Sequence, residues 1–308
     1  YLGLVKFDFL GLKTLDVIQQ ASAKACPDIE MSSLSLDDPK VYEMLQDGDT
    51  LGVFQLESEG ITQLLKRLKP ETIDHIIAVL ALYRPGPLSS GLVDDFVERR
   101  HGRAPVEYPH ELLEPVLKNT YGVIVYQEQV MQAAQVLAGY SLGEADLLRR
   151  AMGKKKQKAM EKHRQRFSEG CAENGISSKL AMEIFDTIEG FSAYAFNAAH
   201  STAYGLITYQ TAGLKRHYPA EFMAACLSWE DDQDRLVLYQ QECREMGIEL
   251  LLPCINKSEE FFRVEKGAIR YGLSSLSGLG DSALKKILSI RKQGIFGDIH
   301  DFFDRVPK

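Results

Sequence analysis

Between Gly190 and Leu214 the chain carries no Asp, Glu, Lys or Arg. So long a run without charge persists either in a bilayer or inside a folded protein. Asn197, His200, Ser201, Thr202, Thr208 and Gln210 make this one too polar for lipid, where unsatisfied hydrogen-bonding groups are expensive. Buried helical segments around an enclosed site are therefore expected, with no membrane association.

The 308 residues are 45% hydrophobic and 26% charged, ordinary for a soluble globular protein and long enough for about two domains. The chain opens at Tyr1 rather than Met, directly in a strand-like run, and so reads as a segment of a longer polypeptide with no visible signal peptide. Cys26, Cys171, Cys226, Cys243 and Cys254 show neither CxxC nor metal-ligand spacing. Free thiols in a reducing cytoplasm are the expectation. The net charge of −7 argues against a uniformly basic nucleic-acid binder, but a local patch can hide within it.

Punctuation along the chain predicts a mainly α protein with small β elements. A helical pattern follows Gly11 to about Lys24, and Asp38-Pro39 starts another toward Gln46. Gly52 to Ser58 reads as a short strand or turn, with Ser58 as N-cap of a helix ending near Lys69-Pro70. Asp74 to Leu82 is helical, and Arg84-Pro85-Gly86-Pro87 reads as a stiff loop. Positions 101–120 are loop-rich and Val123 to Tyr126 a brief strand, before a helix over Gln127–Ala138. Ser141 and Glu144 form a capping box for a helix through Met152. Helices are expected at about 157–173, 178–190 and 202–216, and a hairpin around Lys266-Gly267.

Four features suggest chemistry. In Val5-Lys6-Phe7-Asp8-Phe9, alternation puts Lys6 and Asp8 on one strand face, roughly 6–7 Å apart. An Asp there suits a divalent metal and a Lys suits phosphate oxygens, although a half-exposed strand gives the same pattern. From Ser141 to Arg166, nine basic residues stand against three acidic ones. The adjacent Arg149 and Arg150 point roughly 100° apart on a helix and can grip two sides of one anion. Gly153 and the run Lys154, Lys155, Lys156 follow. Such a segment is either a solvated helix face or, as favoured here, a surface for a triphosphate or a nucleic-acid backbone. His200 and Tyr204 share a helix face, as core packing or as a phosphate contact beside a nucleobase stack. Finally, Leu276 to Ile287 has the form of a helix-hairpin-helix. Gly278 and Gly280 would offer backbone N–H groups to a DNA phosphate, with Lys285 and Lys286 nearby, unless the turn is purely structural.

The segments Lys6–Leu12, Gly52–Ser58, Tyr83–Leu88, Tyr126–Met131 and Leu148–Lys156 occur in one order at consistent intervals. Together they closely resemble the α (catalytic) subunits of bacterial DNA polymerase III, the C-family replicative polymerases. The resemblance implies the end of a polymerase-β-like palm at 1–14, helical fingers at 15–225 and the start of a helix-hairpin-helix region at 226–308. It implies that Asp8 is the third metal-binding aspartate and Lys6 the palm lysine on the triphosphate, with Mg2+ in a two-metal site completed elsewhere. Arg149 and Arg150 would close on the triphosphate of a dNTP. Primer–template DNA would be a partner, as would a sliding clamp and other replisome subunits through regions mostly outside this chain. The family usually has Phe-Asn-Lys-Ser-His-Ser where this chain has Phe196-Asn197-Ala198-Ala199-His200-Ser201. A lost charged contact to phosphate is worth on the order of 1.5–3 kcal/mol. A non-catalytic DNA-binding or clamp-complex module, and a non-replicative error-prone relative, are the alternatives.

Overall fold

A computed structural model of the chain describes residues 11–27, 30–153, 157–192 and 194–306. Lys6, Asp8, Lys154, Lys155 and Lys156 lie outside the described residues. The early helices are α1 (Lys13–Ala25), α2 (Pro39–Asp47), α3 (Glu59–Leu68), α4 (Ile73–Leu82), α5 (Pro85–Ser89), α6 (Leu92–Arg100) and α7 (Glu114–Leu117). There follow α8 (Gln127–Ala138), α9 (Leu142–Gly153), α10 (Gln157–Glu173), α11 (Ser178–Ser192), α12 (Ala198–His217), α13 (Pro219–Trp229) and α14 (Gln233–Glu245). The C-terminal part holds β1 (Leu250–Leu251), β2 (Arg263–Glu265), β3 (Ala268–Arg270), α15 (Asp281–Arg291) and α16 (Ile299–Arg305). The fold is mainly α with a small sheet, as the sequence pattern predicts.

Local chemistry explains most boundaries. Asp38 accepts from the Lys40 N–H at 2.9 Å and Pro39 occupies the first position of α2, where its missing N–H costs nothing. Ser58 is the N-cap of α3, as expected, with its carbonyl accepting from Thr62 and no capping bond from its side chain. Two expectations need correction. Arg84-Pro85-Gly86-Pro87 is not a loop but the entry into α5, because the fixed proline φ suits a first helical turn. α6 lies where no helix was expected, although Leu92, Val93, Phe96 and Val97 form a buried stripe at helical spacing.

The chain divides into two compact units, one of residues 36–49 and 58–209, the other of 1–35, 50–57 and 210–308. In the first, α8 to α11 enclose a core of Leu137, Leu148, Phe167, Cys171, Ile184 and Phe185. Phe167 meets Phe185 edge-on at 5.3 Å. Two arginines of the basic run serve this scaffold. Arg164 pairs with Asp186 and Glu189, and Arg166 lies over the Tyr140 ring and donates to the Ala138 carbonyl at 3.0 Å. The expectation that the whole run faces a polyanion is corrected accordingly.

In the second unit α1 packs on α13, and Gln20 bonds both Trp229 and Ser228. Lys215 is fully buried, its Nζ donating to Glu242 Oε1 at 2.6 Å and to the Leu51 carbonyl at 3.0 Å. Glu57 accepts from the Gly52 N–H, the Arg235 guanidinium and the Tyr239 hydroxyl. That network closes the Gly52–Ser58 turn. The sheet has order β1-β3-β2, with β1 parallel and β2 antiparallel to β3. The predicted hairpin turns at Lys266 and Gly267, both at positive φ (54° and 85°), as a two-residue hairpin turn matched to strand twist requires.

His75 is buried in the first unit. Its Nδ1 accepts from the Glu71 N–H at 3.0 Å, so Nε2 carries the proton toward the Tyr121 hydroxyl at 2.7 Å. Burial, and then the nearby Arg100 cation, push its pKa down to about 4. The unfolded chain therefore takes up a proton near the ordinary value of 6.5 that the folded chain refuses until about 4. The contribution is complete above 6.5 and lost as pH falls through that window, by up to about 3 kcal/mol. Urea midpoints measured across the window should fall with pH, and the slope should be shallower in His75→Gln. An unchanged slope would remove His75 as the source.

Candidate functional site

The tetrad Tyr126-Gln127-Glu128-Gln129 opens α8, and three of its side chains have separate tasks. Gln129 is buried and reaches back, its Oε1 accepting from the Val125 and Tyr126 N–H groups at 2.9 and 3.0 Å. Its Nε2 donates to Thr120 Oγ1 at 2.8 Å and to the Val116 carbonyl at 3.2 Å. A buried amide with both ends satisfied fixes the local backbone. That backbone docks the segment before α12: Phe196 N donates to the Val125 carbonyl at 2.9 Å, and Gln127 N to the Phe196 carbonyl at 2.8 Å. The expected strand at 123–126 is thus a single parallel bridge between Tyr126 and Phe196.

Glu128 faces the start of α12. Its carboxylate accepts from Asn197 Nδ2 and from the Ala198 N–H, each at 2.9 Å. Asn197 Oδ1 in turn accepts from the His200 N–H at 2.7 Å. Both satisfy donors that a helix N-terminus leaves open, and the carboxylate also complements the helix dipole.

From there an aromatic column runs along α12. His200 stacks on Tyr204 with ring centroids 4.2 Å apart and planes 25° apart. Phe196 meets the His200 ring edge-on at 5.3 Å. The Arg84 guanidinium lies 4.3 Å from the Phe196 centroid and donates to the Ala81 and Tyr194 carbonyls at 2.7 and 2.6 Å. Burial lowers the Arg84 pKa. Gly86 admits the Tyr194 ring at this corner, since a Cβ there would fall 2.5 Å from Tyr194 Cδ1. His200, Ala199 and Asn197 are exposed. The uncharged stretch is therefore not an enclosed site over its first half: its polar face looks outward, while Ser201, Gly205 and Thr208 turn inward.

Gln127 links the column to the arginine pair. Its Oε1 accepts from Arg149 Nη1 at 3.1 Å. Arg149 also binds Asp146 Oδ1 through Nη2 at 2.6 Å and Nε at 3.0 Å, while Arg150 Nε binds Asp146 Oδ2 at 2.7 Å. The two guanidiniums converge on one anion, as their spacing predicts, and that anion is a carboxylate of the same helix. Arg149 and then Arg150 hold the Asp146 carboxyl below its usual range. Both arginines line a cavity of about 180 Å3 with Gln127, Gly153, Ser192 and Ala195.

The other unit holds the helix-hairpin-helix. Gly278 adopts φ 85° and Gly280 precedes α15 with no side-chain cap. Both glycines, with Lys285 and Lys286, are exposed. Leu273, Leu284, Ile287 and Phe296 form the small core beneath them. Asp281, in the first turn of α15, already complements that helix end. Among the described residues no cluster of three or more His, Cys, Asp or Glu could hold a metal ion, and none of the described helices is long and apolar enough to cross a membrane.

A helical body thus carries a cation pair and an aromatic column, and a helix-hairpin-helix follows it in the chain. The chain belongs to the family of the bacterial DNA polymerase III alpha subunit finger domain, whose family model matches residues 12–175. A helix-hairpin-helix motif model matches residues 247–308. DNA polymerase III subunit alpha of Pseudomonas aeruginosa is 50% identical over 99% of this chain, and that of Escherichia coli 49% over the same share. The Haemophilus influenzae subunit is 49% identical over 99%. The chain spans 27–28% of the length of these relatives.

Arg84, Phe196, Gln127, Glu128 and Asp146 were not singled out as site residues from the sequence. Asp146 alone carried a local signal, lying three and four positions before the arginines. Replacing Glu128 by Ala should leave the Ala198 N–H without its acceptor and cost about 1 kcal/mol, the usual size of a lost cap. Amide exchange over 197–200 should accelerate while α10 and α11 keep their protection. Unchanged exchange there would show that Glu128 does not hold this helix end.

Proposed function

We propose that this chain supplies the fingers of a DNA-directed DNA polymerase, with residues 1–14 completing a palm and 226–308 opening a helix-hairpin-helix region. Arg149 and Arg150 bind the triphosphate of an incoming dNTP, and the His200–Tyr204 stack packs beside the nucleotide. Lys154, Lys155, Lys156, Lys285 and Lys286 and the Gly278–Gly280 backbone hold primer–template phosphates. The observation that supports this best is the cavity beside Gln127, lined by two adjacent guanidiniums whose planar forks match phosphate oxygens.

In the reaction a primer 3′-hydroxyl gives its proton to water, its oxygen bonds to the α-phosphorus, the bond from that phosphorus to the α–β bridging oxygen breaks, and pyrophosphate leaves. The chain's part is positioning and charge stabilisation. Guanidiniums on the triphosphate offset negative charge as the leaving group departs, and Lys6 adds a cation there. A divalent ion, taken here as Mg2+, would supply further charge neutralisation. Asp8, a hard oxygen donor, fits such an ion, with its other ligands outside this chain. A sliding clamp and other replisome subunits are proposed partners, through regions mostly outside this chain, in the cytoplasm.

The double substitution Arg149→Ala, Arg150→Ala in a full-length polymerase carrying this chain tests the assignment. It should raise KM for dNTPs by more than about tenfold, the loss of one or two charged hydrogen bonds, and lower kcat. Primer–template affinity should change far less. Collapse of DNA affinity with normal dNTP kinetics would place the arginines on a DNA track instead.

A further inference from the structure

Arg149 and Arg150 share one carboxylate but are not equivalent. Arg149 makes three hydrogen bonds, two to Asp146 Oδ1 and one to Gln127 Oε1, and its side chain is only 29% exposed. Gln127 is itself anchored, through its N–H to the Phe196 carbonyl at 2.8 Å and through Nε2 toward the Ala195 carbonyl at 3.4 Å. Arg150 reaches Asp146 through Nε at 2.7 Å with a side chain 62% exposed. An exposed ion pair one turn apart contributes little, whereas a forked arginine held from two sides has already lost its rotamer freedom.

We infer that Asp146 is a built-in stand-in for phosphate: it holds both guanidiniums at the cavity, and Arg150 leaves it for the triphosphate while Arg149 stays as a fixed wall. This rests on the triphosphate assignment above and adds an order to it. Asp146 then competes with the ligand for Arg150, so it lowers affinity while keeping the cation in place. The competition is cheap to overcome because a triphosphate brings several oxygens and more charge than one carboxylate. Arg149 meets the same competition at Asp146 but keeps a further bond, to Gln127 Oε1, that an anion does not contest.

The test is a titration of inorganic tripolyphosphate into a full-length polymerase carrying this chain, followed through the 15N-resolved Nε–H resonances of the two arginines, with sulfate at matched ionic strength as control. The Arg150 Nε–H should shift as its bond to Asp146 is lost, and the Arg149 Nε–H should hardly move. Asp146→Asn should tighten tripolyphosphate binding about two- to threefold, the equivalent of a weak exposed pair. That gain should vanish in Asp146→Asn combined with Arg150→Ala. Equal movement of both resonances in the unsubstituted chain would overturn the division of roles. Weaker binding in Asp146→Asn, with Arg150 still responding, would overturn the competition while leaving the triphosphate assignment standing. No response at either arginine, together with unchanged affinity in Arg150→Ala, would overturn the assignment and this inference together.

Discussion

Two main-chain hydrogen bonds, between Val125 and Phe196 and between Phe196 and Gln127, set the geometry of the candidate site. They tie the entry of α8 to the entry of α12, two helix starts far apart in the chain. Once tied, Gln127 reaches Arg149, Glu128 reaches the first turn of α12, and Phe196 presents its ring between Arg84 and His200. The bridge is short, and its strength comes from what backs it. Gln129 satisfies two N–H groups on one side of the bridge while bonded to Thr120 and Val116 on the other, so the backbone has little freedom to drift.

The arginines divide by what surrounds them. Arg164 and Arg166 lie against aromatic faces, with fixed carboxylate or carbonyl partners. Arg84 is held by two carbonyls over Phe196. These side chains stitch helices together. Arg149 and Arg150 instead share one carboxylate at the edge of a cavity. A guanidinium with carbonyl partners in a packed corner has no reason to leave it, whereas Arg150, 62% exposed and paired to that one carboxylate, can exchange it for another anion. Counting charges along a helix cannot make this distinction.

Much of the fold was legible because its causes are local. The Asp38-Pro39 start of α2, the Ser141–Glu144 capping box and the Lys266-Gly267 hairpin each depend on neighbours within a few positions. The His200–Tyr204 stack was legible for the same reason, since residues four apart on a helix face each other. The misses have the opposite character. Arg84 over Phe196 joins distant segments, and Gly86 makes sense only once Tyr194 is seen above it. The outward polar face of α12 departs from the sequence expectation because a lack of Asp, Glu, Lys and Arg does not by itself bury a helix. Asn197 and His200 are polar without being acidic or basic in the Asp, Glu, Lys, Arg sense, and both are exposed.

By itself the sequence determined the helical character of the chain, most helix boundaries, the family, and the candidate cations Arg149 and Arg150. Caps, periodicity and turn residues act within one or two turns and are written residue by residue. Tertiary structure alone decided that Gln127 holds Arg149 from the side opposite Asp146, that Glu128 closes the start of α12, and that Arg164 and Arg166 belong to the scaffold. Those outcomes depend on which distant segments meet. Closing the intervening chain costs entropy that only packing of the assembled core repays, and no local pattern records the result.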